Sequence, residues 1–258
     1  MKSQVKILLI FLIVLAGVIT YAIATRNTDT PSALKAISLG GDDEVAEEPT
    51  IQAETDSQAV AEPVVASQEP DTAKHNILLI GESFVEGLSR PFADYCAANG
   101  HEYNSVCWYS STTRHWAETD TLQFFLNKFN PDYVFVTIGG NEQFVKDLDK
   151  RERYIRRILE VIGGRKVVWL GTPAWKTDNG FNDLTQRVLG NDRYHDSRSL
   201  NLPRKRDHAH PTAEASVTWM SEAAKWIQSP QCRYPIVLKP SNVHVKSKHL
   251  TLLQPMEL

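Results

Sequence analysis

HNILLIGESFVEGL, residues 75–88, is the stretch on which the reading of this chain turns. Asn76-Ile77-Leu78-Leu79-Ile80 is short, continuous and almost wholly apolar, the pattern of a strand buried on both faces of a parallel sheet. Gly81-Glu82-Ser83 then makes a turn, and Phe84–Asn99 reads as a helix stopped by Asn99-Gly100. A serine at the junction of strand and helix lies at the edge of a sheet, where the helix N-terminus favours developing negative charge. The same serine also reads as an ordinary helix N-cap.

The alternation continues outward. Strands are expected at Tyr103–Trp108, Tyr133–Ile138, Lys166–Leu170 and Tyr194–Ser197. Helices are expected at Ala117–Phe129, Phe144–Ile162, Asn182–Leu189 and Pro211–Gln228, the last with proline in its first turn. Strands alternating with helices imply an α/β fold, three layers deep, with a mainly parallel, flavodoxin-like sheet. Ligands bind such sheets beyond the carboxyl ends of the strands. Gly139-Gly140-Asn141-Glu142 follows the third strand, where glycines allow close approach and an asparagine amide can donate to an oxyanion. Asp207-His208-Ala209-His210-Pro211-Thr212 precedes the last helix, with an aspartate and a histidine spaced to hydrogen-bond on one loop. Each of these segments also reads as a turn or a helix entry, and His208, His210 and His195 together read as a sparse metal set. Their joint occurrence at one edge of one sheet is the stronger signal.

In these three segments the chain resembles the SGNH (GDSL-like) serine hydrolases over residues 76–228. The family's Gly-Asp-Ser block appears as IGESFVEGL (80–88), its Gly-x-Asn-Asp block as GGNE (139–142) and its Asp-x-x-His block as DHAHPT (207–212). WLGTPAW (169–175), HDSRSLNLPRKRDHAHPT (195–212) and MSEAAKWI (220–227) are similar to exported bacterial members. The resemblance implies an SGNH hydrolase fold with Ser83 as nucleophile, His210 as general base and Asp207 as its orienter. It also implies an oxyanion hole made of the Ser83 N–H, the Asn141 side chain and a third main-chain donor. The family takes that donor from a glycine after the second strand; here the segment is YSSTTR (109–114), and Ser111 takes the position. Glu82 and Glu142 stand where the family has aspartates. No metal ion or other cofactor is called for by this chemistry. The alternatives are an acyltransferase using the same three groups, a non-catalytic glycan-binding module on the same fold, and a flavodoxin-like nucleotide binder, for which no GxGxxG or GxxxxGK[ST] motif is present.

The flanks set the cellular context. Lys2 and Lys6 precede the apolar run Ile7–Ala24, which reads as a signal anchor or as a signal peptide cut after Ala22-Ile23-Ala24. Residues 1–24 are thus expected to tether the chain to the cytoplasmic membrane or to be removed, with the remainder periplasmic or extracellular. Residues 25–74 contain no aromatic residue and read as an acidic, disordered linker. Residues 75–230 form the hydrolase domain, and residues 231–258 a tail without helical period. Ten acidic and no basic residues lie between Asp42 and Asp71, leaving 28 basic against 21 acidic elsewhere. The basic residues are scattered, without the aromatic–basic stripe of a nucleic-acid surface, so no nucleic-acid partner is expected. The partner expected is an ester, such as an acyl ester of envelope or extracellular carbohydrate. Trp108, Tyr109, Trp116 and Trp175 are placed near the site, either to stack on sugar rings or to fill the core. Cys96, Cys107 and Cys232 have no metal-like spacing and are expected as buried thiols, with a Cys96–Cys107 pair open in an oxidising compartment.

Overall fold

The computed structural model describes residues 69–240, 242–245 and 249–258. Six strands form one parallel sheet: β1 (Asn76–Gly81), β2 (Glu102–Trp108), β3 (Tyr133–Thr137), β4 (Lys166–Leu170), β5 (Tyr194–His195) and β6 (Leu250–Leu253). Their spatial order is β5-β4-β3-β1-β2-β6. β1 is central, in register with β2 from Asn76 opposite Glu102 and with β3 from Ile77 opposite Tyr133. The order reverses between β1 and β3, and the turns after these two strands therefore open a crevice at the carboxyl edge.

Side chains alternate between the faces of the sheet with the period of two that a strand dictates. Ile77 and Leu79 pack with Phe92, Trp219 and Met220, under helices α1 (Phe84–Asn99) and α6 (Ala213–Ile227). Leu78 and Ile80 pack the other way, against Leu126, Ile155 and Leu184 of helices α3 (Thr121–Phe129), α4 (Leu148–Ile162) and α5 (Phe181–Leu189). The six-residue helix α2 (Thr113–Glu118) adds Trp116 to that second face. The result is the three-layer α/β architecture that the alternating pattern implies.

Element boundaries depart from the sequence reading where polar side chains intervene. The helix expected over Ala117–Phe129 is broken, because the Thr119 hydroxyl donates to the His115 carbonyl at 2.8 Å and competes with the backbone. The helix expected from Phe144 begins at Leu148, where Asp147 caps it by accepting from Lys150 N–H at 3.0 Å. Residues Asn141–Phe144 form a separate 3₁₀ turn. Pro211 lies before the last helix rather than in its first turn, and Thr212 is the N-cap. α1 ends as expected at Gly100, which adopts φ 75° and returns its N–H to the Ala97 carbonyl, while the His101 N–H returns to the Cys96 carbonyl.

The chain ends are a correction to the expected boundaries. Asp71 bridges Ile236 in parallel, so the folded unit includes residues assigned to the linker. The tail packs on the domain: Cys232, Ile236 and Leu238 are buried, and β6 extends the sheet beside β2. All three cysteines are buried and free, so Cys96 and Cys107 are not paired. The proposed membrane segment and most of the acidic linker lie outside the described residues; among those described, no helix is long and apolar enough to cross a membrane.

Candidate active site

The turn after β1 is shaped by glycine. A Cβ on Gly81 would lie 1.9 Å from the Thr137 carbonyl oxygen, so only glycine lets the strand bend here beside β3. Ser83 follows with helical backbone angles and no capping bond from its side chain. Its Oγ instead donates to His210 Nε2 at 2.7 Å. On the other side of the ring, His210 Nδ1 donates to Asp207 Oδ2 at 2.9 Å. An ionised carboxylate only accepts, which assigns the proton to Nδ1 and leaves the Nε2 lone pair to face the serine hydroxyl.

The loop from Pro203 to Thr212 is tied at its neck. Lys205 N–H donates to the His210 carbonyl at 2.7 Å, and Thr212 N–H to the Pro203 carbonyl at 3.0 Å. Asp207 accepts from the N–H groups of His210 and Ala209, both at 2.9 Å. These two N–H groups, then the His210 ring, hold the exposed Asp207 carboxyl well below the usual carboxylate range. Arg204, which the sequence reading did not single out, donates to the carbonyls of Ala209 (2.8 Å) and Ala174 (2.7 Å), joining this loop to the one after β4. The Phe84 ring lies against the His210 ring with centroids 5.3 Å apart and is itself edge-on to Trp219.

Asn141 and Ser111 meet at the same edge. Asn141 Nδ2 donates to the Ser111 carbonyl at 2.9 Å, leaving its second amide hydrogen for another acceptor. The Ser111 N–H closes a turn onto the Trp108 carbonyl at 3.2 Å. The Ser83 N–H makes no hydrogen bond among the described residues. Ser110, one residue earlier, has φ 59°, an uncommon conformation for a residue other than glycine, and it fixes the tight bend.

Glu82 and Glu142 are braces. Glu82 is fully buried and accepts from the N–H groups of Gly139 (3.1 Å), Gly140 and Asn141 (3.0 Å). Burial outweighs these donors and leaves its carboxyl raised to about 8. Gly140 leaves room for it: a Cβ there would lie 2.8 Å from Glu82 Oε1 and 2.4 Å from the Phe84 ring. Glu142 accepts from the Thr113 hydroxyl at 2.6 Å and from its N–H, with Arg151 3.4 Å away. Glu82 therefore fixes the loop carrying Asn141, and Glu142 ties that loop to the start of α2, next to Ser111. The signal for both was in the sequence, as a longer acid at each position of a recognisable pattern.

Other expectations separate. Trp108 and Trp116 are buried and packed edge to face, with centroids 5.4 Å apart; only Tyr109 and Trp175 keep exposed ring surface. His195 lies in β5 with its ring against Trp226, and His210 is engaged by Ser83 and Asp207, so the metal set of His195, His208 and His210 does not assemble. Among the described residues, no group of three His, Cys, Asp or Glu side chains is placed to hold a metal ion.

No family model matches the sequence, and no curated protein matches it. Solved structures similar to it include a psychrotrophic esterase, EstA, from Pseudoalteromonas sp., at 14% identity and a TM-score of 0.48, covering 58% of this chain and 97% of that one. A protein described as lipolytic, of the G-D-S-L family, from Desulfitobacterium hafniense DCB-2 is similar at 14% identity and a TM-score of 0.44, covering 58% of this chain and 98% of that one. A gut microbial diltiazem-metabolizing enzyme is similar at 12% identity and a TM-score of 0.41, covering 62% of this chain and 48% of that one.

Proposed function

We propose that this protein is a serine hydrolase of the SGNH type, cleaving carboxylic esters through an acyl-enzyme on Ser83. The observation that carries the reading is the continuous hydrogen-bonded series from Ser83 Oγ through His210 to Asp207. In this mechanism Nε2 takes the serine proton as Oγ attacks the ester carbonyl. Asp207 supports the resulting imidazolium. The Ser83 N–H and the Asn141 amide stabilise the oxyanion, and the Ser111 N–H joins them by loosening its 3.2 Å turn bond. His210 then gives its proton to the departing alcohol. Water, deprotonated by the same ring, releases the acid and restores Ser83.

The N-terminal lysines and apolar run support action outside the cytoplasm, on a chain anchored through residues 5–24 or secreted after Ala24. Acyl esters of envelope or extracellular carbohydrate fit that setting. The reading is tested with p-nitrophenyl acetate: Ser83→Ala and His210→Ala are each expected to lower kcat by about 10⁴-fold or more. A folded Ser83→Ala protein that keeps wild-type turnover contradicts it.

A further inference from the structure

A groove of about 420 Å³ runs between α1 and α6, beginning beside the candidate site. Glu86 and Gly87, one turn beyond Ser83, form one side of its mouth, and Lys205 and Pro211, which flank His210, form the other. It continues along α1 past Arg90 to Asp94 and along α6 past Glu214 and Val217. We propose that this groove holds the alcohol portion of the ester and that this portion is a polyhydroxylated chain, an oligosaccharide. The inference rests on the hydrolase reading, and it adds a binding site and a substrate class to it.

Position gives the first argument. His210 Nε2 must deliver a proton to the leaving oxygen, so the alcohol departs on the His210 side of Ser83, away from the oxyanion donors. Pro211, next to His210 in the chain, and Lys205, whose N–H donates to the His210 carbonyl, both line the groove.

The chemistry of the walls gives the second. The floor is made of small or ring-shaped apolar residues: Gly87, Pro91, Pro211, Ala213 and Val217, the last 54% exposed. A Cβ on Gly87 would lie 2.8 Å from Ser216 Oγ, so the close approach of the two helices sets the groove's depth. The rim carries Glu86, Arg90, Lys205 and Glu214, all exposed, and none of the four forms an ion pair among the described residues. Glu86 and Arg90 stand four apart on one helix, a spacing at which such residues commonly pair. Elsewhere on the surface charged residues do pair, as Arg198 does with Asp178, Asp183 and Asp196. An acyl chain calls for continuous large apolar walls, and a polyanion for cations without carboxylates. Hydroxyl groups both donate and accept, and they match a groove that mixes carboxylates and cations above an apolar floor, with the Asp94–His244 pair at its far end.

The test compares acetylated xylo-, manno- and chito-oligosaccharides with p-nitrophenyl acetate, using wild-type protein and the double variant Arg90→Ala/Glu214→Ala. Loss of hydrogen bonds to charged groups is expected to lower kcat/KM for the responsive oligosaccharide, relative to that for p-nitrophenyl acetate, by about tenfold, mostly through KM. Ser83→Ala protein is expected to bind the same oligosaccharide by calorimetry, with the added groove changes weakening it. An unchanged ratio overturns the groove assignment. So does a double variant that alters only the dependence on acyl chain length in a series of p-nitrophenyl esters, since that places the acyl group in the groove. Turnover of p-nitrophenyl acetate without binding of any oligosaccharide defeats this inference and leaves the hydrolase reading standing. Groove-dependent binding without hydrolysis of any ester does the reverse.

Discussion

Ser83, Asn141 and Glu82 differ in how directly each acts, and the expected effects of changing them differ accordingly. Asn141→Ala removes the proposed oxyanion donor and is expected to lower kcat by about 10²–10³-fold with little change in KM. Near-normal turnover would remove Asn141 from that role. Glu82 is fully buried and positions Asn141 by accepting from three successive N–H groups. Glu82→Ala leaves those buried donors without a partner, with an expected stability loss of roughly 3 kcal/mol or more in urea unfolding. Displacement of the Asn141 loop is expected to lower kcat by about 10²-fold in the protein that remains folded. Glu82→Asp, one methylene shorter, should recover part of both losses; full wild-type behaviour in Glu82→Ala would show that the loop holds itself. The residues of this site were legible to different degrees. Ser83, Asn141, Asp207 and His210 lie in short segments at the strand ends, and segments of that kind are what sequence displays. The Arg204 bridge depends on how separate loops meet, and spacing along the chain does not carry that information.

At the scale of elements, the buried strands β1, β3 and β4 announce themselves as continuous apolar runs, and their observed limits fall within a residue or so of those expected. Strand β6 does not. It is four residues long, lies at the edge of the sheet and is only partly buried, so it has neither the length nor the alternation that marks a strand in sequence. Its contribution to the site is nonetheless direct. The Leu253 carbonyl accepts from Tyr109 N–H at 3.0 Å, the Gln254 carbonyl from Trp108 Nε1 at 3.0 Å, and the Met256 carbonyl lies 2.9 Å from His115 Nε2. These bonds hold the two ends of the loop that carries Ser111. Truncation before Leu250 is therefore expected to lower both the melting temperature and kcat; unchanged kinetics would show that the edge strand is dispensable to the site. β5 carries a different test. Burial lowers the His195 pKa to about 4 from an ordinary value of 6.5, so the folded chain keeps this ring neutral where the unfolded chain takes up a proton. Stability is expected to fall as the pH drops from about 6.5 towards 4, and a His195→Gln variant should show a flatter melting profile over that window. Identical pH profiles would contradict the assignment.

The described residues form one layered core supporting one edge. Its three thiols lie within that core, and burial pushes Cys107 up to about 12 and Cys232 up to about 11, with Cys96 also raised. The native protein is therefore expected to resist thiol reagents until it unfolds; rapid labelling of any cysteine under native conditions would contradict the packing described. The parallel sheet brings Ser83 and His210, separated by 127 positions in the chain, into a 2.7 Å hydrogen bond. An activated serine is the proposed chemical consequence of that meeting. The most direct test treats folded protein with a fluorophosphonate probe and maps the adduct by mass spectrometry. The account predicts a single adduct on Ser83 in the wild type, absent from Ser83→Ala and His210→Ala. A folded wild-type protein that takes no label, or one labelled at another residue, would contradict it.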